Sequence, residues 1–138
     1  MDRKTNPYRN YIDGQWVEGN GNMIQVLNPA TDKPIAEVPD GGAADVDRAV
    51  AAAKKAQPAW EKLPAIQRAN YMRQITAKIR ENAERLAKTL VLEQGKVPEL
   101  AAVEIEFAAS YIDYMTEWAR RIEGEIVTSD RPGEQILV

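Results

Sequence analysis

The stretch PELAAVEIEFAASYIDYMTEWARRIEG, residues 98–124, decides the fold class, because it carries the longest helical periodicity in the chain. Its large apolar side chains recur every three or four residues, which places them on one face of a helix. Pro98 suits a helix start and Gly124 a helix end, so we predict one long helix between them. Such a stripe is more often buried core or a subunit interface than the wall of a ligand groove. The stripe comprises Val103, Phe107, Tyr111, Tyr114, Met115 and Trp118.

Two stretches upstream show the same periodicity. Residues 43–57 are rich in alanine and end before Pro58, which predicts an amphipathic helix that stops there. A further helix opens at Pro64, a residue suited to the first helical position, and restarts or continues at Asn82. It ends at Gly95. The sequence therefore predicts three or four helices. The apolar stripe of the first comprises Val46, Ala49, Val50 and Ala53.

Short strands precede the helices. The sequence Tyr-Ile-Asp-Gly-Gln-Trp-Val at 11–17 is typical of a β-hairpin, because Asp13-Gly14 accepts positive φ at both turn positions. Residues 23–27 and 34–38 predict two more strands, and together these segments predict a small antiparallel meander. Residues 1–10 are polar with nothing to bury, so we expect a disordered leader.

A period of two returns at the C-terminus. Residues 125–128 and 134–138 predict a hairpin around the turn-forming residues 129–133. The fold class is therefore α+β: a small meander, three or four helices and a C-terminal hairpin arm. The sequence stops at Val138 within an apolar strand, which suggests that the polypeptide continues in its parent protein.

Composition excludes several classes of function. The chain has 138 residues, 18 Lys plus Arg and 21 Asp plus Glu, and this near-balance argues against a nucleic-acid binder with a basic surface. It has no cysteine and no histidine, which excludes Ser-His-Asp and Cys-His catalysis and zinc sites built on these residues. No signal peptide or membrane-spanning run is visible, so we expect a cytoplasmic protein without a membrane partner.

Charged and glycine-rich segments offer few candidates for chemistry. Glu104 and Glu106 are two residues apart and point to different helix faces. Gly41-Gly42 precede a helix N-terminus without a nucleotide-binding fingerprint. Arg120-Arg121 and Lys54-Lys55 lie beside acidic residues, so solvated surface is the expected role of each group. The residues alone thus indicate a non-catalytic α+β piece. Surface ion pairs are expected between Glu93 and Lys96 and between Glu81 and Arg85.

Several segments, in matching order from about residue 11 to 138, resemble the N-terminal region of the NAD(P)-dependent aldehyde dehydrogenase superfamily. The C-terminal ones are especially similar to bacterial members that act on lactaldehyde or glycolaldehyde. The segments are YIDGQWV (11–17), VLNPAT (26–31), IAEVPDG (35–41), DVDRAVAAA (45–53), PAW (58–60), LEQGK (92–96), YIDYMTEWARRIEGEI (111–126) and SDRPGE (129–134).

The resemblance implies a fragment of the α/β aldehyde dehydrogenase fold. Residues 11–124 would form the N-terminal part of the NAD-binding domain, and residues 125–138 would begin the oligomerisation arm. The family's catalytic cysteine, general-base glutamate, oxyanion asparagine and NAD-cradling strands all lie downstream and have no counterpart here. We therefore expect no catalytic and no cofactor-binding residue in this chain, with NAD(P) bound only by the full-length parent.

A monovalent-cation site is also implied by the resemblance. Its ligands in the family are backbone oxygens before an Asn-Pro pair and an acidic residue before a Gly-Lys pair. The matching positions are Val26, Leu27 and Glu93. Oxygen ligands suit a hard cation, although the family's further ligand lies downstream of this segment.

The long helix and the C-terminal arm indicate what kind of partner this chain has. We expect a homo-oligomer, in its simplest closed form a dimer, because the apolar stripe exceeds what the chain can cover and the arm leaves a strand edge open. Two alternatives to an enzyme fragment stay open at this point. One is a stand-alone interaction protein derived from the family, and the other is a ligand-binding module that uses the aromatic stripe.

Overall fold

The computed structural model describes residues 8–19, 22–128 and 130–138. Residues 1–7 of the predicted leader lie outside these ranges, whereas Asn10 pairs with Val17 in the first hairpin. The strands are β1 (Asn10–Ile12), β2 (Gln15–Val17), β3 (Met23–Asn28), β4 (Lys33–Pro39), β5 (Ile126–Thr128) and β6 (Gln135–Leu137). The helices are α1 (Ala43–Glu61), α2 (Ala65–Glu81), α3 (Ala83–Gln94), α4 (Pro98–Thr116) and a 3₁₀ turn at Glu117–Arg120.

The six strands form three separate antiparallel pairs, β1 with β2, β3 with β4 and β5 with β6. The predicted continuous meander is therefore wrong, since β2 and β3 do not pair in the described ranges. The path of the chain explains this. Gly19 packs against Pro39, where an added Cβ would lie 2.9 Å from the proline Cβ. Gly19, two residues after the end of β2, thus lies beside the end of β4.

The turn of the first hairpin forms as the sequence predicts. Asp13 and Gly14 have φ values of 51° and 76°, which is the pattern of a type I′ turn. The turn sets a register in which Tyr11 faces Trp16, and their ring centroids lie 4.9 Å apart. An aromatic pair on neighbouring strands adds to hairpin stability.

The first helix does not stop before Pro58 but runs through it to Glu61. A proline within a helix removes one backbone hydrogen bond without removing those that follow. The Pro58 carbonyl still accepts a bond from the Lys62 N–H at 3.3 Å. At the other end, the buried Asp45 carboxylate accepts a bond from the Gly42 N–H at 3.1 Å and pairs with Arg48. The acidic first turn thus stabilises the helix start.

The remaining helix boundaries differ from prediction by a few residues. Pro64 is the N-cap of α2, so the helix begins at Ala65, one residue after the predicted first helical position. Asn82 separates α2 from α3, which settles the number of α-helices in the described ranges at four. α4 ends at Thr116, well before Gly124, and continues only as the 3₁₀ turn. The Thr116 hydroxyl donates to the Asp113 carbonyl at 2.6 Å in this last turn.

Small side chains form the centre of the helical layer. α4 packs against α2 and α3, and α3 packs on β3. Among the described residues, the buried apolar ones are Ala69 of α2 and Ala101 and Ala109 of α4. The neighbouring buried threonines are Thr76 and Thr116. Alanine and threonine allow close approach of the helices but bury little apolar area.

Two apolar stripes that periodicity identified lie at the surface of this chain. On α1, the Val46 side chain is 56% exposed and Val50 is 47% exposed. On α4, Phe107 is 68% exposed and Tyr111 is 57% exposed. Of the two predicted roles for the α4 stripe, core is therefore wrong for this chain, because α4 turns its alanine face towards α2 and α3, and subunit interface stays a prediction. Within the described ranges, no helix combines the length and the apolar content that a membrane span requires.

Candidate functional site

The end of α3 meets the turn after β3, and the residues of the predicted cation site lie on these two elements, Val26 and Leu27 on β3 and Glu93 on α3. Val26 is half-buried and Leu27 is 44% exposed, and the β3–β4 ladder shifts register between them. Leu27 faces Pro34, which has no N–H to donate to a carbonyl. Glu93 lies exposed in the last turn of α3. Two backbone carbonyls and a carboxylate are oxygen ligands of the kind that a hard cation prefers. The cation site therefore remains a prediction that is consistent with the chemistry of these residues.

No cluster of three or more Asp, Glu, His or Cys side chains occurs in the part of the chain that the structure describes. A cation at this corner would therefore rely on backbone oxygens. The turn that follows these strand residues is well held, because the Asn28 side chain accepts a bond from the Ala30 N–H at 2.9 Å. Its carbonyl accepts another from the Asp32 N–H at 2.8 Å.

Gly95 seats the end of α3 against this turn. Its φ of +66° is the left-handed conformation that the sequence predicted for a helix C-terminus. A Cβ on Gly95 would lie 3.2 Å from Cγ of Pro29. Only glycine therefore combines the required φ with the close approach to the turn.

Replacing Gly95 with alanine is expected to lower the free energy of unfolding by about 1–2 kcal/mol, since a left-handed backbone strains a residue with a Cβ. Urea denaturation followed by circular dichroism would measure this change. Gly41→Ala is the matched control, because an added Cβ there meets nothing closer than 3.6 Å. It should change stability by less than about 0.5 kcal/mol. Equal losses in the two variants would contradict the role given to Gly95.

The outward side of α4 carries the largest group of aromatic side chains. Phe107 and Tyr111 stack with centroids 6.4 Å apart, and Tyr111 lies 6.5 Å from Tyr114. Each of these rings is more than half exposed. We call this surface the aromatic face of α4, and it comprises Phe107, Tyr111, Tyr114, Met115 and Trp118. Its shape within this chain is a convex helix surface, which argues against a ligand groove made by this chain alone.

The C-terminal hairpin presents further apolar side chains. β5 and β6 pair only with each other in the described ranges, and the pairing extends through mutual backbone bonds between Glu125 and Val138 at 3.0 and 2.9 Å. Ile126 is 65% exposed and Leu137 is 77% exposed. An isolated two-stranded hairpin of this kind leaves both outer edges free for a further strand.

Two of the predicted surface ion pairs form with other partners in the structure than the sequence suggested. Lys96 pairs with Glu104 on α4 instead of Glu93. Glu81 pairs with Lys78 instead of Arg85. Gly41 and Gly42 lead into α1, where the Asp45 carboxylate occupies the Gly42 N–H. These groups do not converge on a common point that could serve as a catalytic centre.

A polar cluster between α2 and α4 was not predicted. The Arg80 guanidinium donates to Glu106 Oε1 through Nη2 at 3.0 Å and to Asp113 Oδ2 through Nη1 at 2.7 Å. Thr76 donates to Asp113 Oδ1 at 2.7 Å, and Ser110 donates to Glu106 Oε1 at 3.0 Å. We call these five residues the α2–α4 polar cluster. Its sequence signal was the spacing of Glu106 and Asp113, which at seven residues apart lie on the same side of a helix.

The cluster shifts the ionisation of its members. Hydrogen bonds from Arg80, and then from Ser110, lower the pKa of Glu106. Hydrogen bonds from Arg80, and then from Thr76, lower the pKa of Asp113. The two carboxylates in turn raise the pKa of Arg80, so all three groups are charged near neutral pH.

Comparison with known proteins identifies the family. Residues 16–138 match the aldehyde dehydrogenase family. The lactaldehyde dehydrogenase of Escherichia coli strain K12 is 56% identical over 129 residues, which are 93% of this chain and 27% of that protein. A crystal structure of lactaldehyde dehydrogenase from E. coli, 56% identical, has a TM-score of 0.87 over 92% of this chain and 27% of that chain. A structure of 3,6-anhydro-L-galactose dehydrogenase in complex with NAP, 39% identical, also has a TM-score of 0.87, over 96% of this chain and 28% of that chain.

These matches confirm the resemblance that the sequence motifs predicted and the fold class. The four helices and small antiparallel strand pairs are a part of a larger known fold, and the chain spans little more than a quarter of the length of the relatives it matches. The family's members are oxidoreductases that act on aldehydes. Since the family match extends over nearly the whole sequence, this chain belongs to the aldehyde dehydrogenase family.

Proposed function

We propose that this chain is the N-terminal segment of an NAD-dependent aldehyde dehydrogenase that oxidises a small aldehyde, such as lactaldehyde or glycolaldehyde, to the acid. The identity of 56% to a lactaldehyde dehydrogenase supports this substrate class. The segment is not a catalyst by itself, and its nicotinamide cofactor is bound by the complete enzyme. The cytoplasm is the proposed location.

The observation that carries this proposal is the combination of a 27% span with the absence of any cysteine. Aldehyde oxidation of this kind requires a thiolate that attacks the aldehyde carbon and a bound nicotinamide that accepts the hydride. The chain has no thiol, and it has no histidine that could act as a base in its place. Its exposed apolar features are the aromatic face of α4 and the β5–β6 hairpin, and these would contact other parts of the complete enzyme.

In this proposal, residues 11–124 form the front of the NAD-binding domain and residues 125–138 begin the oligomerisation arm. The exposure of Phe107 and Leu137 supports it, because apolar side chains exposed to this extent normally pack against another part of a protein. The cation positions Val26, Leu27 and Glu93 would serve the complete enzyme, in which a further ligand is available.

A segment exchange tests the proposal. Residues 10–138 would replace the aligned segment of E. coli lactaldehyde dehydrogenase, and NADH formation from lactaldehyde would be followed by absorbance. We expect a soluble chimera that retains oxidation within about tenfold of the parent, because the two segments share their backbone fold. The parent enzyme and the parent lacking the segment are the controls. A soluble, folded chimera without activity would contradict the proposal.

A second candidate function is self-association. Its specific support is that the aromatic face of α4 and the open edges of the β5–β6 hairpin lie on the surface together. A stand-alone interaction protein would use both to form a homo-oligomer, with a closed dimer as the simplest form. Size measurement of the purified chain distinguishes this candidate from a segment that stays monomeric.

A further inference from the structure

The chain leaves the helices through a short segment that lacks regular hydrogen bonding. The last backbone bond of the 3₁₀ turn is donated by the Arg121 N–H at 2.9 Å. Pairing resumes only at Glu125, which exchanges two backbone bonds with Val138. Between these points, residues 122–124 take part in no backbone hydrogen bond with another described residue. We call residues 121–125 the connecting segment, and its backbone can change conformation while few bonds are lost.

The β5–β6 hairpin after this segment is exposed on both of its faces. The cross-strand pair Ile126 and Leu137 is exposed on one face, and the pair Val127 and Ile136 is exposed on the other. In the part of the chain that the structure describes, neither strand makes an extended contact with a helix. A two-stranded hairpin without such support is only marginally stable in water. The hairpin can therefore move as a unit relative to the helices.

Two adjacent arginines, Arg120 and Arg121, lie where the 3₁₀ turn ends and the connecting segment begins. The Arg121 side chain is 60% exposed and lies 3.6 Å from Glu117, a surface ion pair that holds it weakly. The next residue, Ile122, is 80% exposed. Proteases cut preferentially at exposed segments with few backbone bonds. The peptide bonds after both arginines are therefore accessible to such an enzyme.

We propose that the Arg120-Arg121 pair is a cleavage site at which a protease specific for basic residues detaches the β5–β6 hairpin from the helices. A carboxylate in the specificity pocket of such an enzyme binds the arginine guanidinium. Water adds across the peptide bond, so the arginine gains a carboxylate and the next residue gains an amino group. Both strands lie after the cut and leave together, whereas α1–α4 stay in one piece. The site requires only this chain and does not depend on the proposed function.

Other basic residues offer poorer sites. A second dibasic pair, Lys54 and Lys55, lies within α1, where the helix must open locally before a protease can bind its backbone. Lys96 is half-buried, and its ammonium is paired. Arg131 precedes Pro132, and a bond before proline resists these enzymes because the ring fixes φ and removes the N–H. The first cut is therefore expected at the arginine pair.

Limited digestion with a low concentration of trypsin tests this proposal. The masses of the fragments, measured over time, identify the first cut within residues 10–138. We expect it after Arg120 or Arg121, at least about tenfold faster than at any Lys or Arg of α1–α4, because a helix must first open. The remaining helical part should keep its circular dichroism. Proteinase K, which does not require a basic residue, should also remove the hairpin before it cuts a helix.

Arg120→Gln combined with Arg121→Gln should slow the release of the hairpin by trypsin at least about tenfold, because the guanidinium that the enzyme recognises is lost. Lys54→Gln combined with Lys55→Gln is the matched control and should leave the rate unchanged. If the arginine variant does not fold, digestion of the parent chain by proteinase K decides. A first cut within α1–α4 by either protease, equal effects of the two double variants, or loss of helical circular dichroism on cleavage would overturn the proposal.

Discussion

Phe107→Glu on the aromatic face of α4 is expected to abolish the proposed self-association without unfolding the chain. The Phe107 side chain is 68% exposed, so its replacement removes little packing within the chain. In an interface that buries this face, the new carboxylate would lack a partner, and a buried unpaired charge costs about 3 kcal/mol or more. The dissociation constant should then rise by at least about 100-fold. Sedimentation velocity over a range of concentrations measures it.

Val46→Glu on α1 is the control for this experiment. Val46 is also more than half exposed but lies on a different helix, so its charge should leave association unchanged. Deletion of residues 125–138 should weaken association as well, because it removes the open strand edges. A parent chain that stays monomeric at high concentration would refute self-association, as would equal effects of Phe107→Glu and Val46→Glu.

The second large effect is a complete absence of nicotinamide binding by the chain alone. The segment has no glycine-rich strand-to-helix turn followed by an acidic residue, which is the usual basis for dinucleotide binding. Gly41-Gly42 stand before α1, but the Gly42 N–H is already bonded to Asp45. Calorimetric titration with NAD and with NADP should give only heats of dilution, with E. coli lactaldehyde dehydrogenase as positive control. A dissociation constant in the micromolar range would disprove this expectation.

Local features were predicted well where one residue type satisfies a special backbone geometry. Asp13-Gly14 and Gly95 were assigned from sequence to positive φ, and the structure places all three there. Such positions depend on few neighbours, because the strain of a Cβ at positive φ acts within the residue itself. The type of each helix and strand was predictable for a similar reason, since periodicity is a local property.

Helix ends and strand partners were predicted less well, because they depend on competing interactions. Pro58 removes only its own hydrogen bond, so α1 continues past it to Glu61. α4 ends at Thr116 and not at the glycine, Gly124, that the sequence indicated. Likewise, the contact of Gly19 with Pro39 directs the chain away from a meander, and this contact joins residues twenty positions apart.

For the candidate functional surfaces too, the sequence predicted local features but not the contacts between distant residues. Periodicity located the aromatic stripe of α4 but could not decide what covers it, because α4 has a second face, with Ala101 and Ala109 buried, that packs on α2 and α3. Arg80 was not singled out, since its partners Glu106 and Asp113 lie 26 and 33 residues away. Only the packing of the two helices brings these charges together.

The most direct test of the central claim, that this is a non-catalytic segment of an aldehyde dehydrogenase, is the rate of NADH formation by the purified chain. Lactaldehyde and glycolaldehyde would each be supplied with NAD, and E. coli lactaldehyde dehydrogenase would show that the assay works. We predict a rate equal to the buffer blank at every chain concentration, because the chain has no cysteine thiol to form the thiohemiacetal from which the hydride would leave. A rate of NADH formation that rises in proportion to the concentration of the chain would contradict the account.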